Sequence, residues 1–382
     1  MAFEKAISAT VQLEFAKTAV PGAGARQRFA PAFQQLIRWR AIRGVLAICD
    51  FGYDLLLWAR HSGAIHRRPR NFHEADYILR VYCHRIEKAL VLAGLSSPRN
   101  TALIEELLAV LHICRDQSWT VQPHTAKILS AALGQLREKV ALSLADSRHW
   151  VEQIDEALNY LMGVLAGTRK ERIDYICGGC ISNDVILETD PKIDLYFRDL
   201  LHRRHSVRAF ADTTLPNEII EDCVRLAQRS PSACNRQAVR VHVYEDAQLM
   251  RSILNCQNGN DGFGSMANKL LLLTFDQLAV IASSERNLPY LDVGLFAMTL
   301  ILALQARGVA SCCLNLNNYW FRDRALRRAC GIPDREKPIL LIAVGYPPRN
   351  YSVAVSERLP LESVIRFHRR SPEEFCRRGP GA

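Results

Sequence analysis

The sequence predicts an α+β protein in two parts, an all-α domain followed by a domain of mixed helices and strands. Three observations predict it. The chain has 382 residues, more than the roughly 250–300 at which single cores stop growing, so two domains are expected. Residues up to about 170 carry helical periodicity in stretch after stretch, with almost no strand-like run. Beyond Gly167 alternating and continuous apolar runs interleave with helices. The boundaries that result are a helical N-terminal domain over 1–170, a linker over 171–194 and a second domain over 195–382.

The elements follow in order. Val45 to Ala59 is the most apolar early stretch. It holds Asp50 and Asp54 and falls short of the about 20 apolar residues that a membrane span needs, so it reads as a buried helix. Within Ala75 to Leu90, Ile78, Tyr82, Ile86 and Leu90 recur every four positions and form one helical stripe. Thr101 to Cys114 repeats the pattern, and Thr125 to Leu144 and His149 to Leu165 resemble it. Asp174 to Cys180 and Asp184 to Asp190 read as a linker or short hairpin, with Asp190-Pro191 as a turn. Leu215 to Gln228 is a helix with Pro216 in its first turn and early acids, as the helix dipole prefers. Val239 to Tyr244 alternates as a strand, and Leu270 to Phe275 is a continuous apolar run of strand length. Tyr290 to Arg307 is a long apolar helix ended by Gly308, and Pro338 to Val344 is a second buried strand.

Composition narrows the class. Hydrophobic residues make up 49% and charged residues 23% of the chain, which fits a globular protein and excludes wholesale disorder. With 49 Lys and Arg against 39 Asp and Glu, the formal net charge is +10, spread over short clusters such as Arg67-Arg68-Pro69-Arg70. Diffuse positive charge draws anions in general. No zinc-finger or RNA-binding fingerprint accompanies it, so no nucleic-acid role is expected. The twelve cysteines are scattered, several among apolar neighbours where a thiol behaves as a small hydrophobe. Charges at Glu4, Lys5, Glu14 and Lys17 interrupt any signal-like apolar core. A cytoplasmic protein with no membrane span and no disulfide framework is the expectation.

Three stretches of the second half look chemically specialised. In Arg204-His205-Ser206-Val207-Arg208 an extended backbone places Arg204, Ser206 and Arg208 on one side. Two guanidiniums and a hydroxyl suit a phosphate; an exposed basic turn is the plainer reading. Ser230-Pro231-Ser232-Ala233-Cys234-Asn235-Arg236-Gln237 is a polar connection whose amides and hydroxyls either read the edge of a planar heterocycle or cap the preceding helix. The third is Gly308 to Asn315, followed by Gly345-Tyr346-Pro347 and Arg358-Leu359-Pro360.

In this order and spacing the stretches resemble the nitroreductase family of FMN-dependent oxidoreductases, over about residues 195 to 367. The basic-Ser-x-basic motif is matched by Arg204 to Arg208, and Pro-Ser-x-x-Asn-x-Gln by Pro231, Ser232, Asn235 and Gln237. Gly308 to Cys312 matches the Gly-x-x-Ser/Thr-Cys turn after a long helix. The resemblance implies an FMN-binding domain with a central mixed sheet flanked by helices, dimeric, with the cofactor at the homodimer interface. It implies that Arg204, Ser206 and Arg208 meet the phosphate and ribityl chain, that His205 lies beside the ring, and that Arg358 adds a further phosphate contact. Pro231, Ser232 and Asn235, with Gln237, line the flavin from the partner subunit. Leu314 and Asn315 lay backbone over the ring, the Asn315 N–H donating to flavin N5, and Asn260 is a ring contact. The implied activity is ping-pong: NAD(P)H as co-substrate delivers a hydride to flavin N5, and a small-molecule electron acceptor takes it.

The chain departs from the family pattern in places. The usual Gln-Pro-Trp is Gln237-Ala238-Val239, and the Lys expected two positions before Arg358 is Ser356. These departures imply an altered FMN affinity. They motivate two alternatives: a flavin-binding or vestigial scaffold whose helical domain binds a partner, and a flavin tailoring enzyme acting on a glycan or carrier-bound intermediate. Cys177-Gly178-Gly179-Cys180 lacks the second pair that a structural zinc needs, so no metal is expected. In His84-Arg85-Ile86-Glu87-Lys88, His84 and Glu87 share a helix face and suit either acid–base work or a polar cluster between elements.

Overall fold

A computed structural model describes residues 40–65, 68–91, 98–143, 147–166, 178–180, 190–316 and 318–368. The first half is helical. Helix α1 spans Arg40–His61, α2 Phe72–Val91, α3 Pro98–Asp116, α4 Pro123–Ser143 and α5 Ser147–Ala166. Asn71 opens α2, its Oδ1 accepting from the Glu74 N–H at 3.0 Å, and prolines occupy the first positions of α3 and α4, where a missing N–H costs nothing. The stripe expected from sequence is buried only in part: Ile78 and Tyr82 are half-buried, while Leu79, Cys83, Ile86 and Leu90 of α2 join Leu107 and Leu111 of α3, Leu129 and Leu133 of α4, and Ile154 and Leu161 of α5 in one core.

Helix α1 corrects an expectation. The segment Val45 to Ala59 is helical but not buried: Ile48, Phe51, Leu55 and Leu56 are 62–76% exposed. Its inward side combines Trp58, packed against the core beneath the sheet, with polar contacts. Asp50 Oδ1 accepts from the Trp320 N–H at 2.7 Å, the Tyr53 hydroxyl donates to Asp323 at 2.9 Å, and Asp54 pairs with Lys337 at 3.1 Å.

The second half is a three-layer sandwich. Helix α6 spans Pro191–Arg203, α7 Asn217–Ala227, α8 Ala247–Cys256, α9 Leu288–Ala306, α10 Trp320–Cys330 and the short α11 Leu361–Val364. Strands β1 Val239–Tyr244, β2 Lys269–Asp276, β3 Ala310–Asn315 and β4 Glu336–Gly345 form a sheet of order β1-β2-β4-β3. Every pairing is antiparallel, so among the described residues the sheet is not the mixed one expected. Strand β2 is buried along its whole length because both faces are covered. Leu271, Leu273 and Phe275 face a core built with α7 and α9, while Leu270 and Leu272 face one built with α8 and α10. Side chains alternate across a strand, so two covered faces give a continuous apolar run.

Three boundaries differ from expectation in small ways. Asp190-Pro191 is a helix start rather than a free turn: Asp190 Oδ1 accepts from the Lys192 N–H at 2.8 Å and Pro191 is the first residue of α6. Pro216 caps α7 from outside instead of lying in its first turn. Helix α9 ends as expected at Gly308, whose φ of 71° closes a Schellman turn with Val309 N–H on Leu304 O at 2.9 Å and Gly308 N–H on Gln305 O at 3.0 Å. By length and composition α9 is the one helix among the described residues able to cross a membrane; here Val293, Leu300 and Leu304 are fully buried against the sheet and α7.

The two halves touch through α2. Tyr77 is part of the core beneath the sheet. Its hydroxyl donates to Asp276 Oδ2 at 3.1 Å and accepts from Arg240 at 2.9 Å. Burial pushes the Asp276 carboxyl above its usual range, against the pull of Arg335. The linker expected between the halves falls mostly outside the described residues, Cys177 and Asp184 to Glu188 among them. Gly178 to Cys180 is described and seats on α2 and α4. Gly179 N–H donates to Glu87 Oε1 at 3.2 Å, and Cys180 N–H to Gln135 Oε1 at 2.8 Å. Glu87 therefore serves a polar cluster between elements, its carboxyl raised by burial. Gly178 is required here, since a Cβ would lie 2.4 Å from the Ile128 carbonyl oxygen.

Candidate functional site

The residues singled out in the sequence gather into two clusters. The first is the free edge of β3. Arg204 follows α6 as its C-cap in extended conformation, and the strand-like run continues until the Val207 N–H donates to Ser311 O at 3.0 Å. The Arg204–Arg208 and Gly308–Asn315 motifs are therefore adjacent. The electrostatics agree: burial raises the Cys312 thiol and the Arg208 charge opposes it. Arg208 is exposed and lies 5.8 Å from the Phe263 ring centroid. Among the described residues neither Arg204 nor Arg208 forms a salt bridge with a carboxylate. Two unpaired guanidiniums beside a hydroxyl and a strand edge fit a phosphate.

At the far end of β3, Asn315 is fixed through its carbonyl, which accepts from Gln257 Nε2 at 3.0 Å. Gln257 Oε1 in turn accepts from Asn260 Nδ2 at 2.8 Å. Asn260 and Asn315 thus belong to one hydrogen-bonded chain, with buried Gln257 as the link that the sequence did not signal. The Asn260 amide nitrogen also donates to Leu254 O and Gln257 O, each at 2.9 Å. It is turned into its own loop and satisfies carbonyls at the end of α8. The Leu314 side chain is in the core, leaving backbone on the edge side.

The second cluster is the Ser230–Gln237 connection, which includes a short 3₁₀ turn at Ala233–Asn235. Cys234, Asn235 and Gln237 all have φ near 50°, the left-handed region that bulky residues adopt only when held. Arg236 does the holding. Its side chain is fully buried, with Nε on Ala233 O at 3.0 Å and Nη1 and Nη2 on Glu285 at 2.8 and 2.9 Å. Glu285 is held below its usual range, the Arg236 contacts outweighing the raising effect of burial. Ser232 Oγ accepts from the Gln237 N–H at 3.1 Å, and Gln237 Nε2 donates to Asn235 Oδ1 at 3.1 Å. Ser230 donates to Thr299 of α9 at 2.7 Å. The connection therefore lies against α9, on the side where Leu295 and Met298 are exposed.

The described hydrogen bonds tie the first cluster to β3 and the second to α9 and Glu285. Arg358 joins neither. It sits on a C-terminal segment, residues 349–368, that is exposed throughout, and its described hydrogen bond is to Ser356 O at 2.6 Å. Pro231 is exposed and His205 half-buried. Among the described residues no group of three or more His, Cys, Asp or Glu is placed to hold a metal ion.

Comparison with known proteins finds similarity in the second half of the chain. Residues 201–260 and 255–346 match the family model described as Nitroreductase family. Iodotyrosine deiodinase 1 of Pongo abelii is 24% identical over 197 residues, which cover 44% of this chain and 67% of that protein. A protein of Archaeoglobus fulgidus named putative NADH dehydrogenase/NAD(P)H nitroreductase is 23% identical over 155 residues, 39% of this chain and 83% of its own. Among solved structures, an FMN-dependent nitroreductase of Clostridium difficile superposes with a TM-score of 0.39 at 18% identity, covering 45% of this chain and 98% of that one. Residues 201–346 thus match the nitroreductase family model, and a helical region precedes them.

Proposed function

We propose that the protein is an FMN-dependent oxidoreductase that uses NAD(P)H to reduce a small-molecule acceptor. The observation that carries the reading is the β3 edge, where the Arg204–Arg208 run meets Ser311 and, among the described residues, no carboxylate pairs with the two arginines. These residues would hold the FMN phosphate. Asn315, at the other end of the same strand, would place its backbone N–H toward N5. The bound flavin supplies the electron-transfer chemistry, and the chain supplies the binding, the orientation and the local charge.

A homodimer completes the proposed site. In the second half, exposed apolar side chains include Tyr196 of α6, Leu291 and Leu295 of α9, and Leu359, Val364 and Phe367 of the C-terminal segment. Contiguous exposed apolar surface marks an interaction site. Pairing two copies through α9 brings Pro231, Ser232, Asn235 and Gln237 of one protomer toward its partner's β3 edge. It also gives the C-terminal segment, with Arg358, a second copy to wrap.

The test is spectroscopic. The purified full chain is expected to be yellow, or to turn yellow with added FMN, and to bleach when NADPH is added without oxygen. A colourless protein that ignores FMN overturns the reading. Similarity to proteins named iodotyrosine deiodinase favours iodinated tyrosine as one acceptor class, to be compared with nitroaromatics by reoxidation rate of the reduced protein.

A further inference from the structure

We propose that Arg80, on helix α2 of the helical region, is a positioning residue for the flavin site. It holds the peptide between Arg236 and Gln237 in the orientation that lets Ser232 donate to the cofactor. The inference rests on the flavin reading above and gives the helical region a part in it.

That peptide is gripped at both ends. Its carbonyl, Arg236 O, accepts from Arg80 Nη1 at 3.0 Å. Its N–H, that of Gln237, donates to Ser232 Oγ at 3.1 Å. The residues on either side of Arg236, Asn235 and Gln237, both have φ of 52°. Rotation about the Arg236 ψ and Gln237 φ would flip the peptide and release Gln237 from the left-handed region, so the observed orientation needs an external hold. The Arg236 side chain cannot provide it, because its contacts with Ala233, Ala279 and Glu285 anchor the base of the connection and not this peptide.

Arg80 is suited to the task because its guanidinium is itself immobilised. Nε donates to Thr125 Oγ1 of α4 at 3.0 Å, and Nη2 pairs with Asp76 Oδ2 of α2 at 2.8 Å. Thr125 and Asp76 are buried and Arg80 keeps only 14% of its side-chain surface exposed. Two of the three contacts thus tie the fork to the helical region and the third reaches across to the connection.

The chemical consequence falls on Ser232. Because its oxygen accepts the Gln237 N–H, its own hydrogen is available for an acceptor elsewhere. A flipped peptide would turn the Arg236 carbonyl toward Ser232, take that hydrogen, and leave an acceptor facing an acceptor-rich flavin edge. Arg80 therefore sets the hydrogen-bond polarity of the connection.

The experiment uses the full chain and titrates FMN by quenching of flavin fluorescence, alongside hydrogen exchange of residues 231–239 in the FMN-free protein. Arg80→Met is made together with Asp76→Asn, so that no buried charge is left alone. Arg80→Lys tests rescue, and Tyr82→Phe removes only a contact internal to the helical region, the one with Glu106. The expected result is FMN binding by the parent protein and at least tenfold weaker binding by the paired variant. Exchange should be faster in 231–239 and unchanged in α2 to α4, with partial recovery in Arg80→Lys and parent-like affinity in Tyr82→Phe. Unchanged FMN affinity in the paired variant overturns the role of Arg80 and leaves the flavin reading standing. Faster exchange throughout α2 to α4 also overturns it, because Arg80 would then be a stabilising residue only. A parent protein that binds no FMN overturns the flavin reading and this inference with it.

Discussion

Arg236 shows what a side chain does when its backbone neighbours are strained. Three residues near φ 50° surround it, and its guanidinium is fully buried against Glu285 and two carbonyls. Arg236→Leu is expected to destabilise the protein by about 3 kcal/mol, since it strips partners from a carboxylate and buried carbonyls; urea unfolding measures it, and a loss well under about 1 kcal/mol would show that the connection holds itself. The sequence drew attention to Pro231, Ser232, Asn235 and Gln237 and passed over Arg236. Its partner Glu285 is far along the chain, and nothing local distinguishes a buried arginine from an exposed one. Gln257 escaped notice for the same reason. Arg204, Ser206 and Arg208 stood out in the sequence because their spacing along an extended backbone groups them on one side.

A second residue-scale prediction concerns acid stability. Glu336 accepts from Thr274 at 2.6 Å and meets His242 Nε2 at 2.6 Å. Burial raises its carboxyl, but these contacts outweigh that effect and hold it below its usual range. A depressed folded pKa contributes stability above the unfolded value, and that stability is lost as pH falls through the folded one. Stability is therefore expected to fall on the acid side of the ordinary glutamate range, and Glu336→Gln should flatten that limb of a stability-against-pH curve. An unchanged limb would assign acid unfolding to other carboxylates.

At the scale of elements, helix α2 carries two jobs on different faces. Ile86 and Leu90 build the helical core, while Tyr77 and Arg80 reach the second half of the chain. Periodicity revealed the first face, because apolar residues at helical spacing are visible in sequence. It could not reveal the second, whose partners lie more than 150 residues away. Helix α1 shows the converse limit. Its apolar residues were legible, but pattern alone does not say whether a face is covered, and here Ile48, Phe51, Leu55 and Leu56 stay exposed while Trp58 and the polar residues make the contacts. The sheet was misjudged in one respect: strand positions were legible from β-branched and leucine-rich runs, but strand direction depends on crossovers that carry no local signal. Near Cys180, Gly178→Ala is expected to undock the described segment 178–180, because the new Cβ would strike the Ile128 backbone. Hydrogen exchange or limited proteolysis should show faster opening there with β2 and β4 unaffected. Unaltered protection would mean that α4 yields enough to admit a methyl group.

The whole molecule poses a problem of surface. A single protomer leaves the C-terminal segment 349–368 exposed from end to end, and α6 has no buried residue. Conformational entropy opposes ordering a segment that buries nothing, and the proposed second copy would supply the surface that offsets it. The apolar face of α9 around Leu291 and Leu295 adjoins the Ser230–Gln237 connection, which places the proposed flavin contacts and the proposed dimer contacts on one surface. Loss of the dimer and loss of FMN should therefore occur together. Leu359→Glu combined with Val364→Glu puts two charges on the exposed segment without touching the β3 edge or the sheet core. Light scattering is expected to report twice the chain mass for the parent protein and the single chain mass for the variant, and FMN affinity should drop by at least tenfold in the same samples. Because the cofactor would bridge two copies, affinity in the variant should recover as protein concentration rises, by mass action. A monomeric variant that retains parent-like FMN affinity at low concentration would place the whole cofactor site within one protomer, and would require the Arg204–Arg208 and Pro231–Gln237 clusters to act on different ligands.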